Sequence, residues 1–340
     1  MLEFDGSTLE GGGQILRTAI ALSAILKKPC RVFNIRKGRK KPGLAIQHLL
    51  GIQSLAQLCG GQIEGGFLGS TEIIFYPGSE YKRSISINIP TAGSITLILQ
   101  VLTPLSHSLP FPIEVSFKGG ATDTFFSPTI DYFKYVFSRN LEKVGGMVEV
   151  EISKRGYYPE GGASVKAKIH PAKFKPINLT EREDFEQLLI FSGASATLKN
   201  KKVAERQIMG VKEVIGKLKL PIKEKVKYYE TDCPGSHICL VAEFKNTIIG
   251  VDNLGKLGKR AEDVGKEAVL ELLKEEKSKA CLDKNMGDQI LPFLALIKEK
   301  SKVTVSEITN HCKTNMWVIE KFGIGKFETK NNLITWLPTV

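Results

Sequence analysis

The stretch GGGQILRTAIALSAILKKPCRVFNIR (residues 11–36) opens with glycines and an amide, continues as an apolar run, and becomes β-branched after Lys-Lys-Pro. Such an order predicts a helix followed by a strand. The same pattern recurs in TAGSITLILQVLTPLSHSLPFPIEVSF (91–117) and in NMGDQILPFLALIKEKSKVTVSEIT (285–309). A pattern that recurs in this way predicts a repeated α+β unit.

A second helical pattern follows each of these predicted strands. It covers residues 42–61, 127–146 and 310–323, and its first two copies end in Gly-Gly before another strand-like segment. Each helix pair is expected to cover one face of a sheet. The sequence therefore predicts an α+β fold made of repeated βαβαβ-type units.

The repeated pattern is lost between residues 178 and 277. The segments 183–195, 202–218, 237–255 and 259–277 predict strands and helices, but none has the glycine opening of the repeats. The simplest interpretation is a smaller αβ domain at 178–277, inserted into a discontinuous domain formed by 1–177 and 278–340. Its last helix, 260–277, is expected to lie on the surface without a cap.

Charge points to a polyanionic partner. The formal net charge is +12, and 42% apolar with 25% charged residues is ordinary for a globular protein. A lysine-rich surface of the kind found in thermophiles would give a similar excess. The stretch NIRKGRKKPG (34–43) favours the first reading, because its clustered arginines and lysines suit contacts with phosphates.

No apolar run reaches the roughly 18 residues that a membrane span needs, and the N-terminal MLEFDGSTLEGGG has no signal-peptide pattern. These features predict a cytoplasmic protein without a membrane partner, and they leave a homo-oligomer open. The scattered cysteines form no CxxC motif, so a zinc site has no support. A Cys233–Cys239 disulfide stays open, although a reducing cytosol disfavours it.

The glycine turn LEGGGQILRT (9–18) carries candidate chemistry. Its backbone amides could receive a phosphate, Glu10 offers a carboxylate to a metal, and Arg17 offers a guanidinium to a phosphate. An ordinary strand-to-helix turn is an equally good interpretation. In GDQILP (287–292), Asp288 is expected to cap a helix, and the Gln47-His48 pair is expected on a surface.

His311 stands at the entrance of a predicted helix in SEITNHCKTNMWVIEKFG (306–323). Ser306 and Thr309 are its candidate caps, and an apolar stripe follows at Met316, Val318, Ile319 and Phe322. An imidazole off the buried face is available for chemistry, but a lone histidine decides nothing. The other histidines are expected to be structural.

Together these motifs resemble a known family, the RNA 3'-terminal phosphate cyclases. The resemblance extends from residue 5 to about residue 322. It implies repeated units like the C-terminal domain of a translation initiation factor, with an inserted domain of thioredoxin-like topology. The residues that carry it include DGSTLEGGGQILRTAIALS (5–23), NIRKGRKKPGLAIQHL (34–49), GGATDTFFSPTIDYF (119–133), RGYYPEGGASV (155–165), GDQILPFLAL (287–296) and HCKTNMWVIEKF (311–322).

The resemblance also implies a reaction, in which ATP is consumed to convert an RNA 3'-terminal phosphate into a 2',3'-cyclic phosphodiester. His311 matches the histidine that takes AMP, and Glu10 matches a carboxylate near a divalent metal, Mg or Mn. The positions that match the nucleotide and RNA-phosphate site are Gln100, Asn285, Met286, Gly287, Asp288, Gln289, Arg17, Arg36, Arg39, Gln47 and His48. The alternative is a non-catalytic, cyclase-like RNA-binding protein in ribosomal RNA processing. Such members lack the histidine, so His311 favours the enzyme.

Overall fold

Within residues 1–216 and 220–339, which the computed structural model describes, the strands form four sheets of four strands each. In the first sheet β1 pairs parallel with β2, and β4 pairs antiparallel with both β2 and β3. Its elements are β1 (Leu2–Asp5), α1 (Gly13–Leu26), β2 (Cys30–Phe33), α2 (Ile46–Cys59), β3 (Gln62–Glu64) and β4 (Ile73–Tyr76). Helix α1 is buried along most of its length, because its sequence is apolar on nearly every side.

The second sheet repeats this order with the next four strands. Its first two strands pair parallel, and its fourth pairs antiparallel with the second and the third. The elements are β5 (Ser84–Ser94), α3 (Ile95–Leu102), a 3₁₀ helix (Thr103–His107), β6 (Ile113–Ala121), α4 (Ile130–Tyr132), a π-helical turn (Phe133–Phe137), α5 (Ser138–Lys143), β7 (Val148–Lys154) and β8 (Ser164–Ile169).

After β9 (Asn178–Leu179) the chain enters a sheet of a different order, β11-β10-β12-β13. Two helices pack on it over a separate apolar core. The helix predicted at 260–277 is α7 (Ala261–Lys277), and no side chain of the described residues caps its N-terminus, as expected. The predicted segment 202–218 ends at positions 217 and 218, which lie outside the described residues. The elements are β10 (Phe185–Ser195), a 3₁₀ helix (Ala196–Lys201), α6 (Val203–Ile215), β11 (Ile222–Tyr229), β12 (Ser236–Phe244), β13 (Ile248–Leu254) and α7 (Ala261–Lys277).

The remaining strands return to the order of the first two sheets. Strand β9 pairs parallel with β14, and β16 pairs antiparallel with β14 and β15. The α+β class predicted from the sequence is confirmed. The elements are α8 (Lys284–Gln289), α9 (Leu291–Leu294), β14 (Ser301–Thr304), α10 (Asn310–Glu320), β15 (Gly325–Lys330) and β16 (Leu333–Pro338).

One apolar cluster joins the three sheets of common order, and it includes the buried faces of α1, α2 and α10. Packing of α1 against α10 brings the two ends of the chain together. All six cysteines are buried free thiols, Cys233 and Cys239 included. None of the helices in the described ranges has the length and apolarity to cross a membrane.

Candidate active site

A cavity of about 650 Å³ opens between the glycine turn, α2, α3, α8 and α10. All the predicted site residues line it except Met286 and Gly287. Residues that the sequence analysis did not select also line it, chiefly from the segment between β6 and α4. The lining residues are Glu10, Gly13, Gln14, Arg17, Arg36, Arg39, Gln47, His48, Leu97, Gln100, Phe125, Phe126, Ser127, Pro128, Tyr132, Asp252, Asn285, Asp288, Gln289 and His311.

Helix α8 differs from its prediction. Its N-cap is Asp283, whose carboxylate accepts hydrogen bonds from the amides of Asn285 (3.0 Å) and Met286 (2.9 Å). The expectation that Asp288 caps this helix is therefore wrong, and Asp288 lies in its last turn instead. The side chain of Met286 is buried in the main core. A Cβ at Gly287 would meet the Val305 side chain at 3.0 Å, so this position faces the core rather than the cavity.

His311 lies in the first turn of α10. Thr309 caps this helix by accepting a hydrogen bond from the Cys312 amide at 3.2 Å, which confirms one of the two predicted caps. Cys312, Val318 and the rest of the apolar stripe are buried, whereas His311 is exposed on the side of the cavity. The imidazole therefore stands beside the positive end of a helix dipole, where an anionic ligand is stabilised.

The surroundings of His311 keep its ring neutral. Neighbouring protein atoms exclude part of the solvent around the imidazole, and this desolvation lowers its pKa below the ordinary value. The carboxylate of Glu10 raises this pKa, and the guanidinium groups of Arg17 and Arg39 lower it again. A neutral imidazole has a free lone pair, which is the form that acts as a nucleophile.

Glu10 is held by the glycine turn. One carboxylate oxygen, Oε1, accepts a hydrogen bond from the Arg39 guanidinium, while Oε2 is buried and has no partner among the described residues. A Cβ at Gly12 would meet the Glu10 carboxylate, so a side chain at this position would displace the carboxylate from its present place. Gly11 has φ +62°, a left-handed conformation that glycine adopts without strain.

An orphaned carboxylate oxygen in a polar cavity suits a hard cation. Mg²⁺ is commonly bound through a carboxylate or two together with substrate phosphates and water. Among residues 1–216 and 220–339, no group of three or more His, Cys, Asp or Glu side chains could hold a metal by itself. Glu10 therefore fits a cation that arrives with a phosphate ligand, rather than one bound in a closed protein cage.

Cationic side chains surround the same space. The Arg36 guanidinium donates to the carbonyl oxygen of Gly43 at 2.8 Å, which holds it against the cavity. Burial lowers the pKa of Arg17, although the charges of Asp288 and Glu10 oppose the effect. The arginines still carry their charge at neutral pH, since guanidinium groups stay protonated in proteins. Their convergence predicts binding of phosphates.

His48 is buried, so the expectation that it lies on the surface is wrong. Burial lowers its pKa to about 3, and the charges of Arg17 and Arg36 contribute to the shift. Its Nδ1 faces the Ala45 amide at 3.4 Å, which leaves Nε2 to carry the proton. His48 therefore offers the cavity a neutral hydrogen-bond donor.

Two further residues hold the cavity together and were missed in the sequence. The Asn315 side-chain oxygen accepts from Gln14 (2.9 Å) and Thr18 (2.6 Å), and its amide donates to the Asp288 carbonyl at 2.8 Å. This buried network ties α1, α8 and α10 into one wall. The available signals were Asn315 on an otherwise apolar helix face, four residues after His311, and Gln14 directly after the glycines.

The pKa of Asp288 makes stability depend on pH. Burial raises this pKa to about 7, with Arg17 opposing and the charges of Asp283 and Glu10 adding to the rise. A raised pKa means that the folded state holds the proton better than the unfolded state, so stability falls as pH rises from the ordinary pKa of 3.8 to about 7 and levels off above it. Asp288→Asn cannot ionise. We expect the free energy of unfolding of this variant, relative to wild type, to rise by about 1–2 kcal/mol from pH 5 to pH 8. This figure is discounted for partial exposure of the side chain.

Thermal unfolding at both pH values measures this difference. Asp184→Asn is the matched control, because Lys245 lowers the pKa of that exposed carboxyl and keeps it ionised throughout the range. A difference for Asp288→Asn that is the same at pH 5 and pH 8 would contradict the raised pKa.

Comparison with known proteins places the chain in a family. Residues 8–329 match the family model described as RNA 3'-terminal phosphate cyclase. The chain belongs to this family.

Relatives with the name RNA 3'-terminal phosphate cyclase match along nearly the whole chain. The protein of Pyrococcus abyssi is 44% identical over 96% of this chain and 94% of its own length. The protein of Thermococcus kodakarensis is 43% identical over 98% of this chain and 95% of its own length. The protein of Sulfolobus acidocaldarius is 43% identical over 98% of each chain.

Proposed function

We propose that this protein converts an RNA 3'-terminal phosphate into a 2',3'-cyclic phosphodiester with consumption of ATP, through a histidine–AMP intermediate and an RNA-adenylate. The observation that carries the proposal is the position of His311. An exposed imidazole stands at a helix N-terminus and shares one cavity with Glu10 and the converging arginines. Family membership supports the same substrate class.

The proposed reaction has three displacements. In the first, a ring nitrogen of His311 attacks the α-phosphorus of ATP, a P–N bond forms, the bond to pyrophosphate breaks, and the ring releases its other proton. In the second, an oxygen of the RNA terminal phosphate attacks that phosphorus, which breaks the P–N bond and gives an RNA-adenylate. In the third, the neighbouring 2'-oxygen attacks the RNA phosphorus and expels AMP.

The cavity supplies electrostatics and positioning for these steps. Negative charge grows on the leaving pyrophosphate, and the guanidinium groups of Arg17, Arg36 and Arg39 lie in the same cavity to stabilise it. The last displacement is intramolecular, so a held ribose and phosphate gain strongly from proximity. We assign Gln100, Gln289 and Asn285 to binding of the nucleotide, because their amides line this cavity.

A divalent cation, Mg or Mn, fits this proposal through Oε2 of Glu10, to which no residue in the described ranges donates. When bound it would polarise phosphate oxygens and offset their charge. Glu10 itself accepts a hydrogen bond from Arg39 and places negative charge near His311. We call Arg17, Arg36 and Arg39 the cationic wall, and the carboxylate helps to orient this wall even without a metal.

We also propose the two-part organisation at its finer level. Residues 1–177 and 278–340 would form the catalytic part, built from repeats like the C-terminal domain of an initiation factor. Residues 178–277 would form an inserted domain of thioredoxin-like topology, apart from β9 at its start, which pairs with β14 in a sheet of the catalytic part. Support comes from the shared strand order of three sheets and from the separate core beneath β10–β13. His311, Glu10 and all the proposed arginines lie outside 178–277.

The direct test uses ATP labelled at the α-phosphate. Incubation with Mg or Mn and without RNA should label the protein on a denaturing gel. Addition of RNA with a 3'-phosphate should discharge the label and yield a cyclic end and AMP. RNA binding without label and without cyclic product would favour the non-catalytic RNA-binding alternative.

Charge reversal at the cationic wall tests where RNA phosphates bind. Arg36→Glu/Arg39→Glu should weaken binding of RNA 3'-phosphates and reduce the slope of log affinity against log salt by about 1 or more, since each lost phosphate contact removes about 0.7 for a single strand. Binding titrations at several salt concentrations measure the slope. Lys298→Glu/Lys300→Glu, on an exposed loop outside the cavity, is the matched control. An unchanged slope in the arginine variant would place the RNA elsewhere.

A further inference from the structure

A second cavity, of about 560 Å³, adjoins the candidate active site and shares Phe125 and Phe126 with it. We name it the aromatic groove. Its walls include Tyr158 and Leu257, and its floor includes Asp123. The groove lies between the segment after β6, the segment after β7 and the loops that flank β12 and β13.

The walls of the aromatic groove are apolar and open to solvent. Phe126 and Leu257 are fully exposed, and Tyr158 is 58% exposed. Phe126 also has φ +63°, a left-handed conformation that costs free energy for a residue with a bulky side chain. Single exposed apolar residues are normal, but their clustering in one concave surface indicates a binding site.

The floor supplies an unused hydrogen-bond acceptor. Asp123 is buried, and its Oδ2 accepts from the Thr122 hydroxyl (2.7 Å) and the Arg155 guanidinium (2.9 Å). Its Oδ1 is buried too, yet no described residue donates to it. Buried carboxylate oxygens are rarely left without a donor, so a buried water or a ligand amine or hydroxyl group is expected there.

A cation completes the groove. The ammonium group of Lys256 lies 5.3 Å from the ring centre of Phe125, at the boundary with the candidate active site. The groove therefore combines flat aromatic faces, an acceptor on the floor and a positive charge at the rim. Single-stranded nucleic acids are bound by this combination, because bases stack on aromatic rings while cations follow the phosphates.

We propose that the aromatic groove binds the unpaired nucleotides that immediately precede the 3'-terminal nucleotide of the RNA. This inference rests on the proposed function, which places the terminal phosphate in the adjoining cavity. Stacking on Tyr158 and Phe126 would hold a base, and Asp123 Oδ1 would accept from an exocyclic amine or a 2'-hydroxyl. The net charge of +12 and the shared wall with a phosphate-binding cavity favour RNA over an apolar protein partner.

Tyr158→Ala and Leu257→Ser test the groove, because both residues line it and neither lines the candidate active site. Tyr76→Ala, an exposed tyrosine on β4, is the matched control. We expect Tyr158→Ala to weaken binding of a six-nucleotide RNA 3'-phosphate by about tenfold, as loss of one stacked base predicts. Binding of a mononucleoside 3'-phosphate and RNA-free labelling by ATP should not change.

A fluorescent base gives a readout that is independent of catalysis. The probe is a six-nucleotide RNA 3'-phosphate with 2-aminopurine next to its terminal nucleotide. Wild type and Tyr76→Ala should quench the probe on binding, and Tyr158→Ala should lose the quenching. Exposed side chains contribute little to stability, so circular dichroism and thermal unfolding should match wild type.

Three outcomes separate the hypotheses. The groove assignment would be overturned if wild type and Tyr158→Ala showed the same gain in affinity from a mononucleoside 3'-phosphate to a six-nucleotide RNA, and the same quenching of the probe. The proposed function would still stand. If Tyr158→Ala raised the KM for ATP in the RNA-free labelling, the groove would bind the nucleotide of ATP, and the assignment to RNA would again be overturned. Failure of wild type to cyclise any RNA would remove the proposed function, and the quenching comparison would still decide whether the groove binds RNA.

Discussion

His311→Asn is expected to abolish the covalent protein–AMP species and, with it, cyclisation of RNA 3'-phosphates. Asparagine keeps a polar side chain at the first turn of α10 but offers no nucleophilic nitrogen. The exposed imidazole adds little to the core, so the variant should fold like wild type. Labelling with α-labelled ATP, followed by a denaturing gel, measures the effect directly.

The chemistry of the link gives a second criterion. A phosphoramidate on histidine should be labile to acid and stable to alkali, unlike an acyl phosphate. His170→Asn is the control, since the Nε2 of that ring pairs with Glu149 at 2.8 Å and the residue lies outside the cavity. Undiminished label in His311→Asn, or label recovered on a lysine, would contradict the mechanism. The variant should still cyclise a preformed RNA-adenylate, because the last displacement needs positioning alone.

Glu10→Gln should slow self-adenylylation by about 10²–10³-fold, the usual effect of removing one preorganised electrostatic group. The amide keeps the shape of the side chain but loses the charge that would hold a cation at Oε2. It also loses the charged hydrogen bond to Arg39. Because the Glu10 carboxylate raises the pKa of His311, its loss leaves the imidazole at least as neutral as before. A slower rate therefore cannot come from protonation of the nucleophile.

Metal titration separates the two roles of Glu10. If the carboxylate holds the cation, the Glu10→Gln variant should need more Mn²⁺ for half-maximal labelling, and Mn²⁺ with ATP should stabilise it less against heat. Glu3→Gln, an exposed residue paired with Arg31, is the matched control. If the Glu10→Gln variant is labelled as fast as wild type at limiting metal, Glu10 binds no cation.

Local patterns accounted for much of the fold. The glycine openings and apolar runs of residues 11–36 and 91–117 predicted α1 with β2 and α3 with β6, because period and turn chemistry act over a few residues. The same reasoning found the Thr309 cap. The boundaries of the inserted domain and the roles of the site residues stay predictions. The cap of α8 was predicted wrongly at Asp288, because Asp283, five residues earlier, has the backbone geometry of the N-cap and the sequence does not show that geometry.

The sequence by itself determined α1 and α10, the glycine turn, the cation cluster and the placement of His311 off an apolar stripe. Tertiary structure alone decided which of these meet. Gln14 and Asn315 are 301 residues apart, and their hydrogen bond exists because α1 packs against α10. Tertiary packing also buries His48 and raises the pKa of Asp288, since both effects arise from loss of solvent around a side chain. Solvent access depends on neighbours from distant segments, and no local pattern encodes those neighbours.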